Sequence, residues 1–275
     1  QSFWVTLERS YRSRNLAEQG EARQKNLLAM SEKLAASYEE KLAYDDLHLV
    51  VQQSLLPFLW QRGVLGGRRY DVLMDSLPMS EIQLRLDSAL ALHPNSRTLS
   101  DFRVDNQLLQ AESDALQAAD KIITSHTAIA TLFADKVELL DWQFPGVSSV
   151  SHRDDKFTIL FPASTVGRKG CYELREAIRD LDVRLLLLGK NIEGTDFWDG
   201  IETQQAPSNW PEKVDLVVLP AFVEHQPRPL LRAVASGIPV IASESCGVKG
   251  LKGVTELVDD ADLLQAVRRE IQKHL

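Results

Sequence analysis

Apolar residues in this chain cluster into short runs that alternate with amphipathic segments, most regularly in the second half. Four runs, 156–164, 183–189, 214–222 and 238–243, are predominantly apolar. Continuous apolar runs of this length are typical of parallel strands buried on both faces. Because helical segments separate them, the pattern predicts βαβ units and a parallel sheet. The helices predicted here are 171–181, 229–237 and 260–275, with one edge strand inside the irregular segment 196–212.

The first half shows a looser version of the same alternation. Short apolar runs predict strands at 2–7, 47–52, 70–76, 120–126 and 136–142. Apolar residues at helical spacing predict helices at 15–42, 57–62, 80–93, 106–119 and 127–134. Ser80 is expected to cap the helix 80–93, because a serine hydroxyl can accept a hydrogen bond from the first helical turn. The whole chain is therefore expected to be an α/β protein.

The segment 143–155, QFPGVSSVSHRDD, is polar and rich in turn residues, which predicts a linker between two domains. A chain of 275 residues is also long for a single core, since cores stop growing at about 250–300 residues. We therefore expect an N-terminal domain over 1–146 and a C-terminal domain over 147–275. The chain begins with Gln1 rather than Met, and its first half is short of strands, so we expect the N-terminal domain to be truncated.

Composition narrows the classes of function. The formal net charge is −8, which disfavours generic binding to nucleic acid or to an anionic membrane, although a local basic patch can still hold a phosphate. Cys171 and Cys246 lie far apart without CxxC spacing, as expected of reduced packing residues in a cytoplasmic protein. No segment has the length of a membrane span or the pattern of a signal peptide. A cytoplasmic location is therefore expected, with peripheral membrane contact left open.

Candidate binding residues can be located by their position in the predicted fold, because open α/β sheets bind ligands outside the carboxyl ends of their strands. Ser164 ends the strand 156–164, and Arg168 and Lys169 follow it just ahead of a helix. Two cations beside a helix N-terminus are suited to phosphate oxygens. The spacing matches neither GxxxxGK[ST] nor GxGxxG. A solvated basic loop is the alternative.

Three other strand ends carry polar groups. Glu224 and His225 follow 214–222, Ser243 ends 238–243, and His126 ends 120–126. A carboxylate can accept hydrogen bonds from sugar hydroxyls, and an imidazole can donate to phosphate or act as an acid or base. Alternatively, Glu224 caps the next helix and His225 is merely exposed. The recurrence of polar strand ends favours a ligand site.

Three segments of the second half resemble a known family. FPASTVGRKGCYELREAI, VRLLLLG and VDLVVLPAFVEHQPRPLLRAVASGIPVIASESCG are similar to the nucleotide-sugar-binding domain of GT-B glycosyltransferases, specifically the retaining family 4 (glycosyltransferase group 1) enzymes. In the first half, ESDALQAADKIITSHTAIATLF is similar to that family's closing helix, strand and hinge. The resemblance covers 112–275 well and earlier residues loosely. It implies two Rossmann-like parallel-sheet domains facing a cleft.

The resemblance also implies roles for individual residues. Lys169, helped by Arg168, would hold the donor diphosphate, and Glu224 matches the first Glu of the family's E-x7-E motif, near the donor sugar. The second Glu of that motif falls on Arg232, which has only donors and cannot accept from ribose hydroxyls. A basic residue of the family is replaced by small residues around Ser164. The residues implied in catalysis are Glu224 and His126, and those implied in donor binding are Ser164, Arg168, Lys169, Gly189, His225, Arg232 and Ser243.

The function expected from the resemblance is transfer of a sugar from a nucleoside-diphosphate sugar, with retention of configuration, in glycan biosynthesis. The acceptor would be a glycan, a lipid-linked molecule or a small molecule, and the donor is a substrate, so no cofactor is expected. No Asp-x-Asp motif stands at a strand end, so we expect the reaction to be independent of metal. Two alternatives remain open, a GT-like binding domain with little catalysis, which Arg232 favours, and a GT-B sugar-nucleotide epimerase.

Overall fold

A computed structural model describes residues 21–101, 103–146, 156–257 and 263–275. The predicted strand 2–7 lies outside the described residues, as does most of the predicted linker 143–155. The predicted domain boundary between residues 146 and 147 adjoins this gap and stays a prediction. Among the described residues, no helix is both long and apolar enough to cross a membrane.

The chain divides into two compact units. The first unit comprises the described residues within 1–84, 100–125 and 129–140, and the second comprises those within 85–99, 126–128 and 141–275. The division falls inside one helix, after Leu84, and again around residues 126–128. The second unit therefore includes His126, which the sequence placed in the N-terminal half.

The first unit is built on a parallel sheet in the order β1-β2-β3-β4. Its buried face carries Val51, Tyr70, Val72 and Ile122. The Tyr70 hydroxyl donates a hydrogen bond of 2.7 Å to the carbonyl of Ala115. The elements are α1 (Glu21–Glu39), β1 (His48–Gln52), α2 (Leu56–Gln61), β2 (Arg69–Leu73), α3 (Met79–Leu92), α4 (Asn106–Ala118), β3 (Lys121–Thr124), α5 (Thr127–Leu132) and β4 (Val137–Leu139).

The second unit is built on a larger parallel sheet in the order β10-β9-β8-β5-β6-β7. All residues of β5, β8 and β9 are buried, as are three of the four residues of β6, the exception being Arg184 at its start. This confirms the prediction drawn from the continuous apolar runs. The elements are β5 (Thr158–Phe161), α6 (Cys171–Ile178), β6 (Arg184–Leu187), β7 (Thr203–Gln205), β8 (Leu216–Leu219), α7 (Arg228–Ala235), β9 (Val240–Ser243), β10 (Val254–Leu257) and α8 (Leu263–Gln272).

Two local features differ from the sequence-based expectations. The expected Ser80 cap is wrong, because α3 begins at Met79 and places Ser80 inside the helix. The Glu112 carboxylate of α4 instead accepts the Met79 N–H at 2.6 Å. The strand β10 was not predicted, since three of its four residues are only half-buried at the edge of the sheet and carry no continuous apolar run.

Candidate functional site

The six-stranded sheet has a topological switch point between β5 and β8. From β5 the chain continues to β6 and β7 on one side, and then returns to β8 on the other side of β5. Connections that leave adjacent strands in opposite directions open a crevice at the carboxyl ends of those strands. The loops after β5 and β8 are therefore the ones positioned to meet a ligand.

These two loops contact each other closely. The carbonyl of Arg168, in the β5 loop, accepts the N–H groups of Phe222 and Val223, in the β8 loop, at 3.0 and 3.2 Å. Gly170 has a φ of +72°, and a Cβ at this position would overlap the carbonyl oxygen of Pro220. Only glycine combines this backbone conformation with such a close approach. Local backbone geometry thus fixes the turn that carries Arg168 and Lys169.

Three hydrogen-bond donors converge in this crevice. The Lys169 Nζ lies 2.9 Å from Glu224 Oε2 and also donates to the carbonyl of Val223 at 2.9 Å. The backbone N–H groups of His225 and Gln226 donate to Glu224 Oε1 at 2.8 and 2.9 Å. We call Lys169 Nζ and these two N–H groups the anion cradle. Sequence analysis predicted Lys169, Glu224 and His225 as site residues, and the structure brings them together.

Burial and charge set the ionisation of this cluster. Burial alone would raise the pKa of Glu224, but the Lys169 ammonium and the backbone N–H groups outweigh it and lower the pKa to about 2. Burial lowers the pKa of Lys169 against the attraction of Glu224. Burial, with the nearby cations Lys169 and Arg168, lowers the pKa of His225 to about 3. His225 is therefore neutral at physiological pH, and its buried Nε2 makes no hydrogen bond within the described chain.

His126 lies at the same edge of the sheet. Its ring is almost fully buried, and Nε2 lies 3.0 Å from the carbonyl oxygen of Glu224. Burial lowers the pKa of His126, so its imidazole is neutral at physiological pH. The ring rests against Gly247, where φ is +64° and a Cβ would overlap the imidazole. His126 thus joins the cluster through the backbone of Glu224.

Ser243, at the end of β9, is buried rather than open to a ligand. Its hydroxyl donates to the carbonyl of Ala221 at 2.5 Å and lies 3.0 Å from the hydroxyl of Ser245. The Ser245 hydroxyl donates to the same carbonyl. These bonds hold the β8 loop against the end of β9.

The remaining predicted residues lie toward β6 and β7. Ser164 and Gly189 are in direct contact, since a Cβ at Gly189 would overlap the backbone of Ser164. Arg232, on α7, stacks its guanidinium 5.2 Å from the centre of the Trp210 ring and donates to the carbonyl of Ser208 at 3.3 Å. Arg232 also lines a depression of about 400 Å³ together with Leu188, Ala206, Pro207, Ser208, Trp210, Arg228 and Pro229.

Sequence analysis missed a buried carboxylate that organises the β5 loop. Glu193 is 5% exposed and accepts hydrogen bonds from three hydroxyls and two backbone N–H groups. The donors are the hydroxyls of Ser96, Thr98 and Tyr172 and the N–H groups of Arg97 and Gly167. Burial would raise the pKa of Glu193, but these hydrogen bonds lower it. Its position in the sequence could have indicated it, because Glu193 follows β6 closely and strand ends at this edge of the sheet carry the other polar groups.

Comparisons with known proteins bear on the fold. Neither a family model nor a curated protein matches this sequence. Among solved structures, sucrose-phosphate synthase from Thermosynechococcus elongatus is similar with a TM-score of 0.62 and 17% identity, over 91% of this chain and 71% of that one. Anabaena HepE in complex with UDP and glucose is similar with a TM-score of 0.55 and 14% identity, over 89% and 71% of the two chains. The fold of this protein is GT-B-like.

A third similar structure is the lipopolysaccharide outer core galactosyltransferase WaaB, with a TM-score of 0.53 and 14% identity, over 90% of this chain and 71% of that one. The structural likeness confirms the α/β, GT-B-like fold class that the sequence resemblance implied. At these identities the likeness concerns the fold.

Proposed function

We propose that this protein is a glycosyltransferase that takes its sugar from a nucleoside-diphosphate sugar bound at the carboxyl edge of the second unit's sheet. The observation that carries the proposal is the anion cradle at the switch point between β5 and β8. There the Lys169 ammonium and the N–H groups of His225 and Gln226 converge on one anionic group. Charge-assisted hydrogen bonds of this kind are well suited to phosphate oxygens. A donor diphosphate would occupy this place.

The similar structures support the substrate class. They are a galactosyltransferase, a sucrose-phosphate synthase and a protein in complex with UDP and glucose. For this chain, a sugar nucleotide and a sugar-containing or small-molecule acceptor are proposed on that basis. A cytoplasmic location, a role in glycan biosynthesis and retention of configuration belong to the same proposal.

In the proposed reaction, negative charge develops on the departing diphosphate. Lys169 and Arg168 would stabilise that charge, and fixed cations do so without having to reorganise during the reaction. Two cations therefore supply what a metal ion otherwise provides, and we propose a metal-independent reaction. The neutral His126 would act by hydrogen bonding near the sugar or the acceptor.

The nucleoside would extend from the cradle into the depression beside Trp210. Leu188 and Ala206 follow β6 and β7 directly, so the depression lies at the carboxyl edge where ligands of such sheets bind. Its lining is largely apolar, which is suited to the face of a base. Ser164 and Gly189 lie beside Leu188 in this arrangement, consistent with their proposed part in donor binding.

Arg232 provides a test of this placement. Arg232→Glu would replace a donor-only guanidinium with an acceptor of ribose hydroxyls. We expect nucleoside-diphosphate affinity to rise about tenfold, the effect of about one gained hydrogen bond to a charged group. Isothermal titration calorimetry measures the change, with Arg179→Glu, at an exposed position of the same unit, as the control. Unchanged affinity in Arg232→Glu would mean that the ribose does not reach this position.

The proposed function itself is tested by titrating the protein with UDP, GDP, ADP and their glucose derivatives. Thermal shift and calorimetry measure the binding. Binding of one nucleoside diphosphate, followed by sugar transfer or donor hydrolysis, supports a transferase. Binding without turnover supports the alternative of a GT-like binding domain, which the engagement of Arg232 by Trp210 and Ser208 favours. Absence of binding by every nucleotide contradicts the proposed donor site.

A further inference from the structure

The anion cradle is occupied by a carboxylate of the protein itself. One oxygen of Glu224 accepts the two backbone N–H groups of His225 and Gln226, and the other accepts from Lys169. Both residues of the ion pair are largely buried, with side-chain exposures of 11% for Lys169 and 12% for Glu224. Each donor of the cradle therefore already holds a negative charge at the place where a phosphate would bind.

A phosphate cannot take the two backbone N–H groups of the cradle without displacing Glu224. An ammonium has three N–H donors, and Lys169 uses two of them on Glu224 and on the Val223 carbonyl. Each backbone N–H has a single hydrogen, and both point at Glu224. A phosphate and the Glu224 carboxylate held side by side in a buried site also repel each other. Binding of phosphate and release of the Glu224 carboxylate are thus mutually linked.

The consequence depends on what else the ligand carries. A displaced carboxylate needs new hydrogen-bond donors, since an ionised carboxylate only accepts and leaving it buried without donors is costly. The hydroxyl groups of a sugar provide such donors, whereas a bare diphosphate provides none. The Nε2 of His225, buried and without a hydrogen bond in the described chain, is a further group that a sugar hydroxyl would satisfy.

We propose that Glu224 is a specificity-determining residue. Its carboxylate occupies the cradle and excludes bare phosphates, and it is displaced by a ligand in which a sugar is attached to the phosphate. This inference rests on the proposed function, since it assumes that the cradle receives a diphosphate. It assigns Glu224 a second effect beyond contact with the sugar. The free nucleoside diphosphate, which is the product of transfer, is disfavoured relative to the donor.

The test uses inorganic pyrophosphate, which carries neither base nor sugar, so that only the cradle is probed. Calorimetry would compare the full chain with its variants Glu224→Gln and Glu244→Gln. Glu224→Gln removes the competing charge at nearly constant shape and should bind pyrophosphate about tenfold more tightly, the factor for one hydrogen bond to a charged group. Glu244→Gln makes the same change of net charge in the loop after β9 and should bind like the unmodified chain.

A second comparison uses the nucleoside diphosphate that binds and its glucose derivative. The ratio of the affinity for the glucose derivative to the affinity for the free nucleoside diphosphate should fall about tenfold in Glu224→Gln. Should this variant fail to fold, Glu224→Asp serves instead, because it keeps the charge but shortens the side chain by one methylene. Pyrophosphate affinity should again rise, and the preference for the glucose derivative should again fall.

The outcomes separate the inference from the proposed function. Pyrophosphate binding that depends on Lys169 but is equal or weaker in Glu224→Gln overturns the inference and leaves the donor site intact. If neither the unmodified chain nor the Glu224 variants bind pyrophosphate or any nucleoside diphosphate, both the donor site and the inference are wrong. A rise in affinity for Glu244→Gln equal to that for Glu224→Gln also overturns the inference, because it would reflect net charge alone.

Discussion

Lys169→Met should lower the affinity for nucleoside diphosphates at least about tenfold, because it removes a charge-assisted hydrogen bond to the phosphate. The same change should destabilise the second unit. Glu224 would keep its charge in a largely buried position without the ammonium that lies 2.9 Å away. Removing one partner of a buried ion pair costs about 3–5 kcal/mol. Calorimetry and urea denaturation measure the two effects separately.

The double variant Lys169→Met/Glu224→Gln distinguishes loss of binding from loss of folding. It removes both charges of the buried ion pair, so the free energy of unfolding should return toward that of the unmodified chain. Phosphate affinity should stay well below that of Glu224→Gln alone, because the ammonium is still missing. Lys252→Met, at an exposed position of the same unit, serves as the control and should alter neither property. Normal nucleotide affinity in a folded Lys169→Met variant would remove Lys169 from the site.

The ionised form of Glu224 also makes a pH dependence expected. Its pKa is lowered in the folded protein to about 2 from an ordinary value of 4.5. A lowered carboxyl pKa contributes stability that is fully present above the unfolded pKa and is lost as the pH falls toward the folded pKa. The unmodified chain should therefore lose this contribution between about pH 4.5 and pH 2, and Lys169→Met, in which the lowering cation is gone, should lose less there.

Glu193→Gln should destabilise the protein through the β5 loop. The carboxylate accepts five hydrogen bonds, and one end of an amide is a donor that cannot accept. In either orientation the amide N–H₂ faces at least one backbone N–H, that of Arg97 or of Gly167. Each buried donor left unsatisfied costs about 1–3 kcal/mol, so we expect the free energy of unfolding to fall by about 2–5 kcal/mol.

Urea denaturation followed by circular dichroism measures this change. Glu202→Gln is the matched control, because Glu202 pairs with Lys156 and Arg184 at the surface, where its side chain is 42% exposed. Solvent screens an exposed ion pair, so the free energy of unfolding of Glu202→Gln should be close to that of the unmodified chain. Equal denaturation midpoints for Glu193→Gln and the unmodified chain would show that the five hydrogen bonds do not stabilise the loop.

The predictability of the fold differed between central and edge elements. The strands β5, β8 and β9 are buried at every position and are apolar except at Thr158 and Ser243, so the pattern is easily detected. β10 has one buried residue and lies at the sheet edge, so its composition is weakly constrained and it was missed. The start of α3 was misplaced because Glu112, distant in sequence, caps it in place of Ser80.

Within the candidate site, the sequence identified the residues at strand ends, because parallel strands place their carboxyl ends at one edge of the sheet whatever the details of packing. That rule was enough to select Lys169, Glu224, His225 and His126. It could not show that Glu224 occupies the cradle, since this depends on the distance between loops some 55 residues apart in sequence.

The sequence alone determined the α/β class, the parallel sheets and the edge at which polar groups collect, because burial requires apolar residues at regular positions. Only the tertiary structure determined which polar groups satisfy each other. The five donors on Glu193, the pairing of Lys169 with Glu224 and the stacking of Arg232 on Trp210 all join residues from different loops or elements. A hydrogen bond or ion pair is decided by a few tenths of an ångström and by direction, and neither is encoded in local sequence periodicity.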